Sequence, residues 1–418
     1  MNKIESWINI DAHSDFSIHN IPFGIYKTHD GKTRAGSALG DKVIDLNYLH
    51  SQFFFNEIEL PDNIFSQQTL NDFIGLGKDI TSAVRLRIID LFSADNQEIQ
   101  GNEEYIKGCL LPMNSVEMLM PVYVPNYTDF YSSIEHATNV GTMFRDPEKA
   151  LLPNWKHIPV GYHGRASSII PSGTPIRRPK GQTKAPDADK PTFGPTKRLD
   201  FELEMAFIVG KETSLGSSVP TDKAEDYIFG LVLFNDWSAR DVQVWEYVPL
   251  GPFLAKNFAS SISPWIVTLD ALEQFKVAGP KQEPQVLPYL EYEGSKNFDI
   301  NLEVSIKPES QDPQVVSNSN FKYMYWNMYQ QLAHHTSNGC NLKIGDMYAS
   351  GTISGPTPDS YGSMLELAWK GTKPLEMADG SKRSFIEDGD TVIMKGYAEK
   401  DGIRVGFGEV SSKVLPSD

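Results

Sequence analysis

The chain has 418 residues, 40% hydrophobic and 22% charged, the balance of a globular protein with two domains or one large one. Its formal net charge of −16 argues against nucleic acid and anionic membranes as partners, but a local cluster of Arg and Lys can still hold an anionic substrate. Cys109 and Cys340 are too few for a disulfide framework or a zinc site of their own, so they read as reduced thiols.

The N-terminal Met-Asn-Lys-Ile-Glu-Ser-Trp has no apolar run of signal length, and no stretch approaches the roughly 20 apolar residues of a membrane span. A cytoplasmic protein is expected. From Ile21 to Leu46 the pattern is of short strands: Phe23–Tyr26, an Asp30-Gly31 turn, then Lys42–Leu46. This opens a small β-barrel. Leu70, Phe73 and Ile74 share one helical face, and Ile80, Val84, Ile88 and Leu91 share another. Pro112, Pro121 and Pro125 then punctuate the chain. Residues 1–120 are read as an N-terminal domain and 121–418 as a second, mostly β domain.

The segment Tyr127–Arg145 places Asp129, Tyr131, His136 and Arg145 within seventeen residues of apolar and aromatic character. A lone histidine is usually structural; His136 stands out by its company. Tyr162, His163 and Arg165 follow among glycines, the mark of a tight turn. Pro179–Pro195 has no periodicity and is read as a long loop, a class of segment that is often functional. In Lys197–Val209, Phe201, Leu203 and Met205 fall on one side of a pleat, with Glu202 and Glu204 on the other. Taken alone, the two glutamates suit a solvated outer face. Asp129 and Asp236 lie at the edges of strand-like apolar runs and can join them, and four hard oxygen donors suit Ca²⁺ or Mg²⁺.

Thr221–Tyr227 reads as a short helix before the buried strand Gly230–Asn235. A helix then begins, with Asp236 as its cap. On it Arg240, Gln243 and Tyr247 share one face, either a surface helix or one wall of a site. Lys256 is isolated among apolar and turn residues, snorkelling outward or pointing into a site. Residues 274–287 and 308–320 read as polar loops, and Tyr323–His335 as an amphipathic helix stopped by Asn338-Gly339. His334 and His335 are adjacent, so they point apart on that helix and read as structural. Thr352 lies between glycines, where backbone can approach a ligand. Glu366 sits in the apolar run Met364–Trp369, read as a strand; a buried carboxylate there needs a partner, and a histidine is a natural one. Thr391–Tyr397 and Ile403–Gly408 form a terminal hairpin.

Tyr-Thr-Asp-Phe-Tyr-Ser-Ser, His-Ala-Thr-Asn-Val-Gly, Phe-Glu-Leu-Glu-Met, Asn-Asp-Trp-Ser-Ala-Arg-Asp-Val-Gln, Gly-Thr-Ile-Ser-Gly-Pro and Gly-Ser-Met-Leu-Glu-Leu occur in that order. Together they resemble the fumarylacetoacetate hydrolase family, over the whole chain. The His-Ala-Thr-Asn segment and the long N-terminal region favour its members that cleave 4-fumarylacetoacetate over its decarboxylases, hydratases and acylpyruvate hydrolases. The resemblance implies a mainly β fold with some α: a small SH3-like N-terminal barrel, then a large mixed β-sandwich roll, in a homodimer. It implies Ca²⁺ on Asp129, Glu202, Glu204 and Asp236, and substrate contacts at Tyr131, Arg145, Tyr162, Gln243, Tyr247 and Thr352. A second cation, usually Mg²⁺, is implied near Asp236, Lys256 and Ser260, with the lysine contributing a backbone oxygen. Ala255 and Ser260 stand where the family usually has glycine and threonine.

The implied reaction is hydrolysis of a β-diketone's carbon–carbon bond to fumarate and acetoacetate, the last step of tyrosine and phenylalanine catabolism. The residues suit it. The metal polarises the diketone oxygens. His136, oriented by Glu366, takes the water proton. Arg240, Gln243 and Lys256 supply donors where negative charge grows. A decarboxylase or hydratase on the same scaffold needs no His–Glu pair. A calcium-stabilised binding protein explains the carboxylates but not the Arg, Gln and Lys.

Overall fold

The strand Leu203–Val209 alternates, and both of its faces are covered. Leu203, Met205, Phe207 and Val209 enter a core with Leu231 and Leu233 and with Leu302, Val304, Val392, Met394 and Val410. Ala206 and Ile208, on the opposite face, pack with Val232, Phe234, Met347 and Ala349 and with Phe23, Phe73 and Ile88 from the N-terminal region. The sheet containing this strand is therefore a wall shared by two cores. This computed structural model describes residues 4–418. Met1, Asn2 and Lys3, part of the N-terminal stretch read above for a signal, lie outside the described residues.

The wall has eight strands. Seven run in the order Gly161–His163, Tyr127–Phe130, Met347–Ala349, Leu203–Val209, Ile228–Asp236, Ser260–Ile262, Ile169–Pro171, and Val267–Thr268 pairs beside Ile228–Asp236. Its apolar face meets a five-stranded sheet ordered Gln314–Asn320, Asn301–Lys307, Thr391–Lys400, Ile403–Leu415, Ile176–Arg177. The N-terminal region carries its own five-stranded antiparallel sheet, ordered Leu110–Pro112, Lys42–Asp45, Thr33–Leu39, Phe23–Lys27, Glu117–Leu119. Helices Asn71–Gly75 and Lys78–Phe92 bury Phe73, Ile74, Val84, Ile88 and Leu91 against it, as their spacing requires. The fold is mainly β with some helix.

Several segments differ from the sequence reading. Lys180–Thr183 and Thr192–Pro195 pair as a hairpin within the expected loop, and Gly181 lies against Val242, where a Cβ would stand 2.7 Å from a methyl group. Gln314–Asn320 is a polar edge strand rather than loop; an edge strand needs no apolar alternation. The helix read over Tyr323–His335 is Met328–Thr336, because Asn327 and Gln330 form a capping box that fixes its start. Of Thr221–Tyr227 only Ala224–Tyr227 is helical, as one 3₁₀ turn.

The shared wall makes a definite prediction. Ile208→Ala removes a fully buried side chain from the face toward the N-terminal core. Chemical denaturation should show a loss of about 2–5 kcal/mol. A loss below about 0.5 kcal/mol, the range of surface substitutions, would show that this face is not part of a packed core.

Candidate metal and catalytic site

Strand register gathers the acidic residues. Asp129 pairs with Ala349, and Ala349 with Ala206, two positions beyond Glu204. On the other side the Asp236 amide donates to the Glu202 carbonyl at 3.3 Å. The result is that one carboxylate oxygen from each of Asp129, Glu202, Glu204 and Asp236 lies within 4.8 Å of all the others, and all four residues are buried. The solvated-face reading of Glu202 and Glu204 is therefore wrong. Both lie on the wall's N-terminal side at the end of its apolar stripe.

Asp236 is not a helix cap. It is the last residue of Ile228–Asp236 and still pairs with Ser260, while the helix begins at Arg240 behind Ala239. Sheet pairing holds Asp236 extended, and the short strand Ser238–Ala239, paired to Leu199–Asp200, delays the helix. Arg240 and Gln243 nevertheless meet on one face, Arg240 Nη1 donating to Gln243 Oε1 at 3.2 Å.

Two buried cations face the carboxylates. Lys256 Nζ donates to Glu202 and, at 2.7 Å, to Asp236 Oδ2. Arg240 pairs with Glu202 Oε1 at 2.7 Å and with Asp200 Oδ2 at 2.8 Å. Burial works to raise the pKa of Glu202, but Lys256 and then Arg240 outweigh it and hold this carboxyl below its ordinary range. Burial dominates elsewhere: it pushes Asp129 and Glu204 well up, with neighbouring carboxylates adding to the effect, and raises Asp236 despite Lys256. Asp129 Oδ1 and Glu204 Oε1 are buried with no hydrogen-bond partner. Buried polar atoms without partners are rare and costly. Four convergent carboxylates with two such atoms form a donor set suited to a hard divalent cation.

The surroundings complete this centre. Ser260 Oγ donates to Asp236 Oδ1 at 2.9 Å, and the Tyr162 hydroxyl to Asp236 Oδ2 at 3.3 Å. The Gly351 amide donates to Glu204 Oε2 at 3.0 Å. Gly351 has φ +77°, and a Cβ there would stand 2.3 Å from the Phe130 carbonyl oxygen, so only glycine serves. The next residue, Thr352, is buried with its Oγ1 unpartnered.

His136 and Glu366 meet although 230 positions separate them. His136 Nδ1 lies 2.6 Å from Glu366 Oε2, and both side chains are buried. Glu366 is not on a strand. Met364–Leu367 is one helical turn, with Ser363 Oγ capping it and Trp369 and Lys370 ending it at positive φ. Glu366 accepts further hydrogen bonds from Asn139 at 2.9 Å, Ser354 at 2.9 Å and Ser363 at 2.8 Å. Burial opposes its charge, but His136 and these donors prevail and lower its pKa. The Tyr131 ring stands edge-on to His136 at 5.1 Å. Arg145 and Tyr247 lie at the periphery, both exposed: Arg145 donates to the Ala150 carbonyl at 2.8 Å, and Tyr247 ends the Arg240 helix.

Asp200, Asn139, Ser354 and Ser363 escaped the sequence reading. Asp200 was legible, since it continues the alternation of Glu202 and Glu204. Asn139 stands one helical turn beyond His136. The two serines carried no signal, because their roles depend on contacts across the fold.

Residues 126–415 match the family described as fumarylacetoacetate (FAA) hydrolase C-terminal, and residues 19–121 that described as fumarylacetoacetase N-terminal. The chain is 51% identical to the fumarylacetoacetase of Homo sapiens, over 99% of both chains. It is 51% identical to that of Dictyostelium discoideum, over 100% of this chain and 99% of the other. Its fold is similar to that of a fumarylacetoacetate hydrolase from psychrophilic Exiguobacterium antarcticum, with a TM-score of 0.53, 18% identity, and coverage of 95% of this chain and 99% of that one. The full-length identity and the two matched regions establish that this chain belongs to the fumarylacetoacetate hydrolase family.

Proposed function

We propose that this chain hydrolyses 4-fumarylacetoacetate to fumarate and acetoacetate, the last step of tyrosine and phenylalanine catabolism. The observation that carries this reading is a buried, Glu366-bound His136 beside a four-carboxylate centre. The bond broken joins a ketone carbon to the methylene between the two carbonyls. The water oxygen ends in a new carboxylate of fumarate, and a proton ends on the methyl carbon of acetoacetate.

Each part has a residue suited to it. With Nδ1–H donated to Glu366, the Nε2 lone pair of His136 is open to take the water proton. Glu366, bound by four side chains, stays ionised and stabilises the imidazolium. Arg240 Nη2 is buried without a partner and is a ready donor to a developing oxyanion, with Lys256 and Gln243 beside it. A divalent cation on Asp129, Glu202, Glu204 and Asp236 supplies Lewis-acid polarisation of the diketone. We assign Ca²⁺ there, and a second cation, Mg²⁺, beside Asp236, Ser260 and the Lys256 backbone. Tyr131, Arg145, Tyr162, Gln243, Tyr247 and Thr352 are the proposed substrate contacts; the unpartnered Thr352 hydroxyl favours this.

In the same reading, residues 1–120 are an SH3-like domain and 121–418 the catalytic domain. The protein is a homodimer, which the exposed Val248, Leu250 and Phe253 favour. It is cytoplasmic, which two unpaired cysteines favour. Among the described residues no helix is long and apolar enough to cross a membrane.

Two measurements test the centre. Chelation should abolish turnover and lower the melting temperature, and Ca²⁺ or Mg²⁺ should restore both. An ion at one hundred times its Kd stabilises the fold by about 2.7 kcal/mol. Full turnover after chelation would remove the metal from the reaction. His136→Ala should reduce turnover of 4-fumarylacetoacetate roughly 10²–10⁴-fold with metal affinity intact. Glu366→Gln should cost less, and the double variant should be little worse than His136→Ala, because the two act as a unit. Losses that multiply would separate the two residues.

A further inference from the structure

We infer that Asp200 is a positioning residue that locks the arginine of the acidic centre to the turn carrying Glu366, an inference that rests on the function proposed above. Asp200 is completely buried and all of its bonds are charge-assisted. Its Oδ2 accepts from Arg240 Nε at 2.8 Å and from the Leu365 amide at 3.0 Å. Its Oδ1 accepts from the Met364 amide at 2.7 Å. One carboxylate thus holds Arg240 and the two residues immediately before Glu366.

The consequences follow from geometry. The Arg240 guanidinium has three nitrogens. Nε is committed to Asp200, and Nη1 to Glu202 and Gln243. This fixes the guanidinium plane and leaves Nη2 as its one buried, unpartnered nitrogen. On the other side, Glu366 belongs to a turn of only four residues, Met364–Leu367. So short a helix cannot hold its own shape in isolation. Ser363 caps it through the Glu366 amide, and Asp200 ties down the first two amides. Removing the Asp200 charge frees the orientation of Arg240 and of the Glu366 carboxylate together. The hydrogen-bond partners of this side chain are Arg240 and the backbone of the turn.

The discriminating variant is Asp200→Asn, which keeps shape but loses charge and one acceptor oxygen. Turnover number and Michaelis constant are measured with 4-fumarylacetoacetate, alongside the unfolding midpoint and the wild-type protein. The expected result is a loss of roughly 10–100-fold in turnover number, the scale typical of outer-shell partners, with the Michaelis constant changed less. Added to Arg240→Met or to Glu366→Gln, Asp200→Asn should cost little more. A second cycle leaves Asp200 in place and covers the case in which Asp200→Asn does not fold. Arg240→Met and Glu366→Gln, two residues joined through Asp200, should lose less together than the product of their separate losses. Multiplicative losses in either cycle, or an Asp200→Asn enzyme with unchanged turnover, overturn the inference. A wild-type chain inactive on the diketone overturns the functional reading instead.

Discussion

Four carboxylates buried within 4.8 Å of one another set the terms for everything around them. At an effective dielectric constant of 20, two unit charges at that distance repel by about 3.5 kcal/mol. Six such pairs exceed the whole net stability of an ordinary domain, about 5–15 kcal/mol. The protein offsets this in two ways. Lys256 and Arg240 are themselves buried; Lys256 pairs with Glu202 and Asp236, and Arg240 with Glu202. Burial and the neighbouring carboxylates push the Asp129 and Glu204 carboxyls well up, which works against four simultaneous charges. A divalent cation would relieve the remainder at once, and the unpartnered Asp129 Oδ1 and Glu204 Oε1 mark where relief is missing.

That constraint explains why the site stands on strands. Side chains on strands are held more precisely than side chains on loops. Here Asp129, Glu204 and Asp236 come from adjoining parts of one sheet, and a one-residue slip in any strand would turn its carboxylate to the opposite face. Register is secured by apolar packing on both sides of the wall. The N-terminal region's core packs on Ala206 and Ile208, the residues that follow Glu204 on the same face of its strand.

What could be read from the sequence follows the same physics. The acidic alternation, the apolar continuation to Val209 and the terminal hairpin are local patterns, and they appear as local structure. Errors came where distant partners override local preference. Met-Leu-Glu-Leu-Ala-Trp looks like a strand, yet Ser363 and Asp200 satisfy the amides of a helical turn there. Asp236 looks like a cap, yet Ser260 holds it in a ladder. Residues 180–195 look unstructured because a hairpin with polar faces has no apolar period to reveal it. The neighbours of Glu366 were invisible for a further reason: Ser354 and Ser363 are ordinary serines until folding brings one carboxylate to both.

The site divides its two kinds of carboxylate by donor supply. Glu366 accepts from His136, Asn139, Ser354 and Ser363, so its charge is satisfied by the protein alone. Glu204 receives one amide, from Gly351, and keeps an unpartnered oxygen. A carboxylate saturated with donors has nothing left to offer a metal and little tendency to take a proton. It is fit to orient and stabilise a histidine cation. A carboxylate starved of donors in a buried site is unstable as an anion until a cation arrives. The same side chain is thus suited to orienting a histidine in one place and to receiving a cation in the other. The difference between them is set by the hydroxyls and amides aimed at each, not by the acid itself.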